Sequence, residues 1–411
     1  MPSSPHLCSI LPAMSAAETQ KSGPLRQILL TPGPTQVPEA VLRELAEPVI
    51  HHRTSAFRAI FGELSERLAR VFRTAAPVLT LSGSGTTAFE AAMTSLIERG
   101  QKAVTCAAGK FGERWQDICQ SCGVEQVRID AAWGEPIEAA RVAETLAAHP
   151  DARVVVVVHS ETSTCTACDL EAIANIVSKT DALLIVDGIT SVAALPMQMD
   201  DWDIDVVVTG SQKALMLPPG LGFAALGPRA RQRMAKTKGI ATYTLDLRRW
   251  LADHTKNDVP FTPAINLVRA QRVALEMIEN EGLENVWART RRLARATRAA
   301  LEAMDLKLVS RASSDSVTGA FYPAPAGDEI DDAHFRAALR ERHGIHVAGG
   351  QKGRLGDFAG RIFRISHMGH VNAQDTRAAL DAVETELIAC GCRIEPGTAL
   401  KAANAVLEAA D

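Results

Sequence analysis

The chain has 411 residues, of which 46% are hydrophobic and 22% charged; this is enough apolar material for a sizeable core and a length that suits two domains. Its formal net charge is −4 and its 44 Lys and Arg are scattered rather than striped, which argues against a nucleic-acid partner. No stretch reaches the ~18 apolar residues that a membrane span needs.

Residues 1 to about 26 begin "MPSSPHLCSILPAMSAAETQKSGPL", where no basic leader precedes the apolar patch and Pro12 breaks it. The segment reads as a flexible tail rather than a secretory signal, with Met14 an alternative start. The expected location is a reducing cytoplasm with free thiols. Further on, "PVLTL" (77–81), "KAVTC" (102–106), "VEQVRI" (124–129), "RVVVVV" (153–158), "ALLIVD" (182–187), "DVVVTG" (205–210) and "GFAAL" (222–226) are short apolar runs rich in β-branched residues. Continuous rather than alternating apolarity predicts strands covered on both faces. Helical patterns such as "TTAFEAAMTSLIERG" and "DLEAIANIVSKT" lie between them, so residues 27–282 are expected to form a large α/β domain around a mostly parallel seven-stranded sheet. A long helix over 263–281, closed by Gly282, is expected to link it to a smaller α+β domain, residues 283–411. That part carries the basic helix "VWARTRRLARATRAALEAM", two further helices and strands near "SVTGAFYP" and "GRIFRIS".

Two cysteine pairs, Cys119/Cys122 and Cys165/Cys168, have the C-x-x-C spacing that can supply four thiolates to zinc. The first pair instead fits an amphipathic helix with buried thiols, and the second lies in a polar loop. Cys390 and Cys392 follow a helix and read as structural, so no metal is expected.

The chemistry begins at "LTLSGSGTTAFEAA", where a strand ends at Leu81, Gly83 and Gly85 free the backbone and a helix starts near Thr86. Several N–H groups and a positive helix end then converge on a spot suited to a phosphate. The same letters spell G-x-G-x-x-A, the dinucleotide fingerprint, but that reading needs an acid at the end of the second strand, and "KAVTCAAGK" ends without one. Asp187 closes one strand and Lys213, in "GSQKALMLPPG", follows the next. An acid and a partly desolvated amine would thus share a crevice edge with the phosphate anchor. That set fits pyridoxal phosphate, whose phosphate needs the helix end, whose ring nitrogen needs an acid and whose aldehyde needs an amine.

"LTPGPTQVPEAV", "HHRTSAF", "SGSGTTAFEAA", "GKFGERW", "HSETST", "VDGITS", "GSQKAL", "TPAINL" and "GRIFRISHMGH" together resemble the class V aminotransferases of fold type I, specifically the alanine–glyoxylate and serine–glyoxylate group. The resemblance runs from about Leu29 to about Leu387. It implies that Lys213 bonds covalently to pyridoxal 5′-phosphate and that Asp187 pairs with its ring nitrogen. It further implies that Ser84, Gly85 and Thr86 hold the phosphate with Gln212, that Phe111 stacks on the ring and that Thr162 reaches the ring hydroxyl. By the same resemblance Thr262 reaches the phosphate of a neighbouring subunit, which implies a homodimer with shared active sites. Arg364 would clamp the substrate carboxylate, and Gly33 in "TPGPT" would let the backbone line the active-site mouth. An arginine flanked by Ile362, Phe363 and Ile365 is also expected to be buried against an anion.

Arg53 is open between a substrate contact and a helix cap, His159 reads as locally hydrogen-bonded, and His367 and His370 as shaping the turn after Arg364. The resulting expectation is transfer of an amino group from a small amino acid, alanine or serine, to glyoxylate or pyruvate by ping-pong kinetics. A 2-aminoethylphosphonate–pyruvate transaminase remains an alternative, for which Arg53 is the one obvious extra cation. A desulfurase needs a mobile-loop cysteine, a position that Cys390 and Cys392 fit poorly. A scaffold without catalysis and a nicotinamide dehydrogenase are the readings from other classes.

Overall fold

A computed structural model describes residues 26–323 and 330–409. The tail read over residues 1 to about 26 therefore lies, up to residue 25, outside the described residues, as does Met14. Seven strands form the main sheet: β1 (Val78–Gly83), β2 (Lys102–Ala107), β3 (Glu125–Asp130), β4 (Val154–Val158), β5 (Leu183–Asp187), β6 (Val206–Gly210) and β7 (Gly220–Leu226). Their spatial order is β1-β7-β6-β5-β4-β2-β3. Only β7 runs antiparallel to its neighbours. Every residue of β4, β5 and β6 is buried, as continuous apolar runs require of strands covered on both sides. The observed strands lie within a residue or two of the apolar runs. β7 starts two residues before its run, at Gly220, which pairs with Gly83 across the site edge.

The strand order positions the site. From β2 the chain proceeds outward to β3, then returns to β4 on the other flank of β2, so the connections leaving β2 and β4 diverge and open a crevice at the carboxyl ends of the strands. A helix Gly85–Leu96 (α1) follows β1 and a helix Lys110–Ser121 (α2) follows β2, both with their N-termini at that edge.

A second sheet of three antiparallel strands, β8 (Val317–Phe321), β9 (Ala348–Gly349) and β10 (Ile362–Ser366), has β10 in the centre. Its side chains enter a separate hydrophobic cluster with Phe335, Leu380 and Leu387. Ile28 and Leu30 also pack there, because Ile28–Leu29 pairs in parallel with Ile345–His346. The helix expected to link the two halves, observed as Ile265–Glu281 (α3), contributes only to the large cluster. Gly282, at φ +86°, ends it, and the next helix, Leu283–Ala303 (α4), spans both cores. Leu283, Val286 and Trp287 face the first core, and Leu293, Ala296 and Leu301 the second.

Candidate active site

Eight of the residues read from the sequence line one cavity at the carboxyl edge: Ser84, Gly85, Thr86, Phe111, Thr162, Asp187, Gln212 and Lys213. A roomier cleft lined by Ala76, Asp203, Asp205 and Arg229 lies at the opposite end of the strands. It lacks a lysine, so it is not the site of this chemistry.

Ser84 caps α1. Its hydroxyl accepts from Thr87 N, and the Thr87 hydroxyl accepts from Ser84 N in return. The N–H groups of Gly85 and Thr86 are left at the positive helix end, aimed at an anion. Gly85 is tightly enclosed, since a Cβ there would overlap Ile189. The buried Gln212 Oε1 has no hydrogen-bond partner, an orphan polar atom on a cavity wall.

Asp187 ends β5 and is 3% exposed. Its Oδ2 accepts from Trp115 Nε1 at 2.5 Å and its Oδ1 from Ile189 N at 2.8 Å. Burial pushes the carboxyl up to about 7, against the pull of these donors. A bound cation opposite it would restore the carboxylate.

Lys213 follows β6, where the chain turns on Pro218 and Pro219. Burial pulls its amine down to about 8, although Asp187 opposes this, and its Nζ donates to Pro32 O at 2.5 Å. The segment 31–35 lies directly on the lysine: Thr35 Oγ1 donates to Lys213 O at 2.7 Å and Thr35 N to Gln212 O at 3.1 Å. Gly33 is at φ +121°, and a Cβ there would overlap the lysine's terminal atoms, so only glycine lets the backbone approach so closely.

Arg364 stands in the middle of β10, 4% exposed. The anion expected to neutralise it is not found among the described residues. Nε and Nη2 both donate to Gly349 O, at 2.9 and 2.7 Å, and Nη1 donates to Thr162 O at 2.6 Å. Carbonyl oxygens hold the fork in place without cancelling its charge, and two of its five donors remain for a ligand. Burial draws the guanidinium below its ordinary value, which adds to its demand for an anion.

Thr262 is not brought to this cavity; it is exposed, away from the walls. Arg53 neither caps a helix nor reaches the site. Asp258 Oδ1 at 2.6 Å and Val259 O at 2.8 Å pin it, and Thr54 is the cap instead. The extra cation of the phosphonate reading is thereby consumed. The ring of His159 is buried with Nδ1 unpartnered, contrary to the local bond expected, and burial pulls it down to about 4. His367 is buried with Nε2 2.9 Å from Thr318 Oγ1, and His370 is exposed. Cys390 and Cys392 pack against the second core. No group of three or more metal-ligating side chains occurs among the described residues.

Several site residues escaped the sequence reading. Trp115, one helical turn beyond Phe111, stacks on Phe89 at 4.0 Å between ring centroids and donates to Asp187. Arg114 joins the cavity wall, its guanidinium 4.8 Å above the Phe111 ring. Helical spacing in "GKFGERW" could have flagged both. Glu161 caps α2: Oε2 accepts from Phe111 N at 3.0 Å and Gly112 N at 2.9 Å, and Oε1 from Ser163 N at 3.1 Å and Ser163 Oγ at 2.5 Å. Nothing local in "HSETST" announces a cap for a helix fifty positions upstream.

What these walls share is a demand for a single ligand carrying a phosphate, a basic ring nitrogen and an aldehyde, and this defines a pyridoxal 5′-phosphate-dependent transferase on fold type I. The model of the family Aminotransferase class-V matches residues 28–376, and the chain belongs to that family. It is similar to a Synechococcus protein named as the small subunit of a soluble hydrogenase, at 38% identity over 94% of this chain and 99% of that one. To the L-aspartate–glyoxylate aminotransferase of Paracoccus denitrificans it is 33% identical, over 92% and 95% of the two chains. Among solved structures, the pyridoxamine–pyruvate aminotransferase of Mesorhizobium loti superimposes with a TM-score of 0.86 at 30% identity, covering 93% of this chain and 97% of that one.

Proposed function

We propose that this aminotransferase moves the amino group of a small amino acid, alanine or serine, to a small 2-oxo acid, glyoxylate or pyruvate, in two alternating half-reactions. The observation that carries the reading is the placement of Lys213 and Asp187 on one cavity beside an arginine, Arg364, that has no carboxylate partner among the described residues. Relatives named for transfer to glyoxylate and to pyruvate support the acceptor.

In this reading the helix end at Ser84, Gly85 and Thr86, with Gln212, holds the cofactor phosphate. Phe111 lies against the ring, Thr162 meets the ring hydroxyl, Asp187 pairs with the ring nitrogen, and Lys213 Nζ takes the covalent bond. When bound, pyridoxal 5′-phosphate supplies a sink for the electron pair left as the α-proton of the amino acid departs. Arg364 offers its two remaining donors to the α-carboxylate and so fixes which face of the α-carbon meets the lysine. Once displaced by the incoming amine, Lys213 Nζ is a base of pKa about 8, suited to lifting that proton and returning it within the site. Trp115 holds the Asp187 carboxylate in register while this occurs.

A homodimer completes the proposal. Thr262 is exposed and does not line its own cavity, and Leu42, Val49 and Tyr243 are exposed apolar side chains, as a subunit surface would present. The visible spectrum tests the reading: an absorption band of the cofactor bound to the wild type, missing in Lys213→Ala, should be bleached by alanine or serine and restored by glyoxylate or pyruvate. A protein that takes up no pyridoxal 5′-phosphate, or whose band no amino acid changes, refutes it.

A further inference from the structure

We infer that Glu113 is a positioning residue for the substrate carboxylate: it ties the loop between β9 and β10 to helix α2 and thereby sets the aim of Arg364. The inference rests on the clamp role given to Arg364 above and adds the group that keeps the clamp in register with the cofactor ring.

Glu113 is a buried acid, 4% exposed, for which the chemistry above has no use. Its donors are two backbone N–H groups and an indole. Oε2 accepts from Arg354 N at 2.6 Å, and Oε1 accepts from Leu355 N at 2.9 Å and from Trp133 Nε1 at 3.2 Å. Two consecutive N–H groups converging on one carboxylate make charge-assisted bonds that hold this stretch of the loop in a single conformation. Gly353 permits the approach, since a Cβ there would lie 2.6 Å from both Glu113 oxygens. The Arg354 side chain adds bonds to the same side of the molecule, to Asp130 at the end of β3 at 3.0 Å and to Gln116 on α2 at 2.6 Å. Trp133 also meets Phe358 of the loop edge-to-face, 5.2 Å between ring centroids, and packs against the small cluster of Val309, Phe358 and Ile362.

The groups at the two ends of this tie give it its role. Helix α2 carries Phe111 on the cavity wall and Trp115, which holds Asp187; the loop runs from Gly349 to the strand that carries Arg364. The Arg364 fork bridges these two sides, with Nη1 on Thr162 O and with Nε and Nη2 on Gly349 O. Its two remaining donors are therefore aimed by where Gly349 stands relative to Thr162. With Glu113 bonded to the loop, Gly349 is referenced to the helix that backs the cofactor ring. Without that carboxylate the loop keeps the packing of Trp133 and the Arg354–Asp130 pair, whose arginine side chain is 45% exposed and so contributes little. A carboxylate gripped by two donors is sensitive to displacement of either, so substrate affinity falls while lysine, acid and phosphate seat stay in place.

The test uses holoenzyme, wild type beside Glu113→Gln, Arg354→Ala and Arg364→Ala. KM and kcat are measured for L-alanine with glyoxylate as acceptor. The Kd of propionate, alanine's frame without the amine, is read by titrating the cofactor's visible band, and amide hydrogen exchange over residues 350–361 by mass spectrometry. In Glu113→Gln an NH₂ faces a donor that the carboxylate now satisfies. We expect KM for alanine and the Kd of propionate to rise about 10-fold, kcat to change by less than about 3-fold, the cofactor band to stay unmoved and the loop to exchange faster. Arg354→Ala should raise the same two constants by about 2- to 3-fold. Unchanged constants in a folded Glu113→Gln overturn the inference. So does a loss of kcat or of cofactor with both constants unchanged, because Glu113 would then act through Phe111 and Trp115. If Glu113→Gln does not fold, Arg354→Ala decides, and no rise in either constant overturns the inference. If Arg364→Ala binds propionate as tightly as wild type, it is the clamp reading that fails, and hydrogen exchange still decides whether Glu113 holds the loop.

Discussion

Replacing Asp187 with Asn should reverse the relative stability of mutant and wild type as pH rises. In the cofactor-free wild type the Asp187 carboxyl sits at about 7 against 3.8 for an unburied one, so its charged form costs about 4 kcal/mol at 1.36 kcal/mol per tenfold in acidity. A raised pKa means that the folded protein holds the proton more tightly than the unfolded chain. Its contribution is therefore intact below pH 3.8 and is lost progressively as pH climbs through 7. Asn has no such titration, but its NH₂ must face either Trp115 Nε1 or Ile189 N, leaving one donor unpaired at a cost of about 1–3 kcal/mol at every pH. Asp187→Asn should thus be the less stable protein near pH 3 and the more stable one near pH 8, by about 1–3 kcal/mol in each direction. Urea unfolding of both cofactor-free proteins at several pH values measures the difference. In holoenzyme the same change should lower kcat about 100-fold, because the neutral amide cannot stabilise a protonated ring nitrogen. A stability difference that does not move with pH would refute the assignment of the buried charge as a cost borne by the empty site.

Three further outcomes follow from the geometry. Gly33→Ala places a methyl on the Lys213 amine at a φ of +121°, a strain of about 1–3 kcal/mol; the cofactor's visible band should weaken at fixed pyridoxal 5′-phosphate while circular dichroism shows a folded chain. Glu161→Gln turns an NH₂ toward one pair of the four donors that Glu161 now satisfies; the unfolding free energy should fall by about 2 kcal/mol, and an unchanged urea midpoint would contradict the cap. Arg364→Lys cannot hold Gly349 O and Thr162 O and still grip a carboxylate with two bonds, so KM for alanine should rise about 10–100-fold, more than kcat falls.

The sequence was most legible where one local fact decides the outcome. Five-residue runs such as "VVVVV" have no polar face to show solvent, so β4 could only be an inner strand, and Asp187 and Lys213 stand out because the one ends such a run and the other follows the next at a turn. Legibility failed where the deciding partner is remote. The carbonyl oxygens that hold Arg364 come from Gly349 and from Thr162 on the other core, and a charge-centred reading looked for an acid instead. Glu161 and Trp115 gain their roles only when the β2 and β4 connections face each other across the crevice. The linking helix was misplaced by one element because Gly282 looked like an ending, when it is also the start of α4.

The strand Ile28–Leu29 rests on Ile345–His346, and the residues that follow it roof Lys213 through Pro32 and Thr35. On the ribosome, the first of these segments to emerge has nothing to pair with until Ile345 and His346 have been made. The large sheet can assemble early, but its lysine stays uncovered until the late segment arrives and the early one docks on it. Covering of the Lys213 amine is thereby tied to synthesis of Ile345–His346, and a chain cut short before Ile345 would expose the amine and could not bring Arg364 to it.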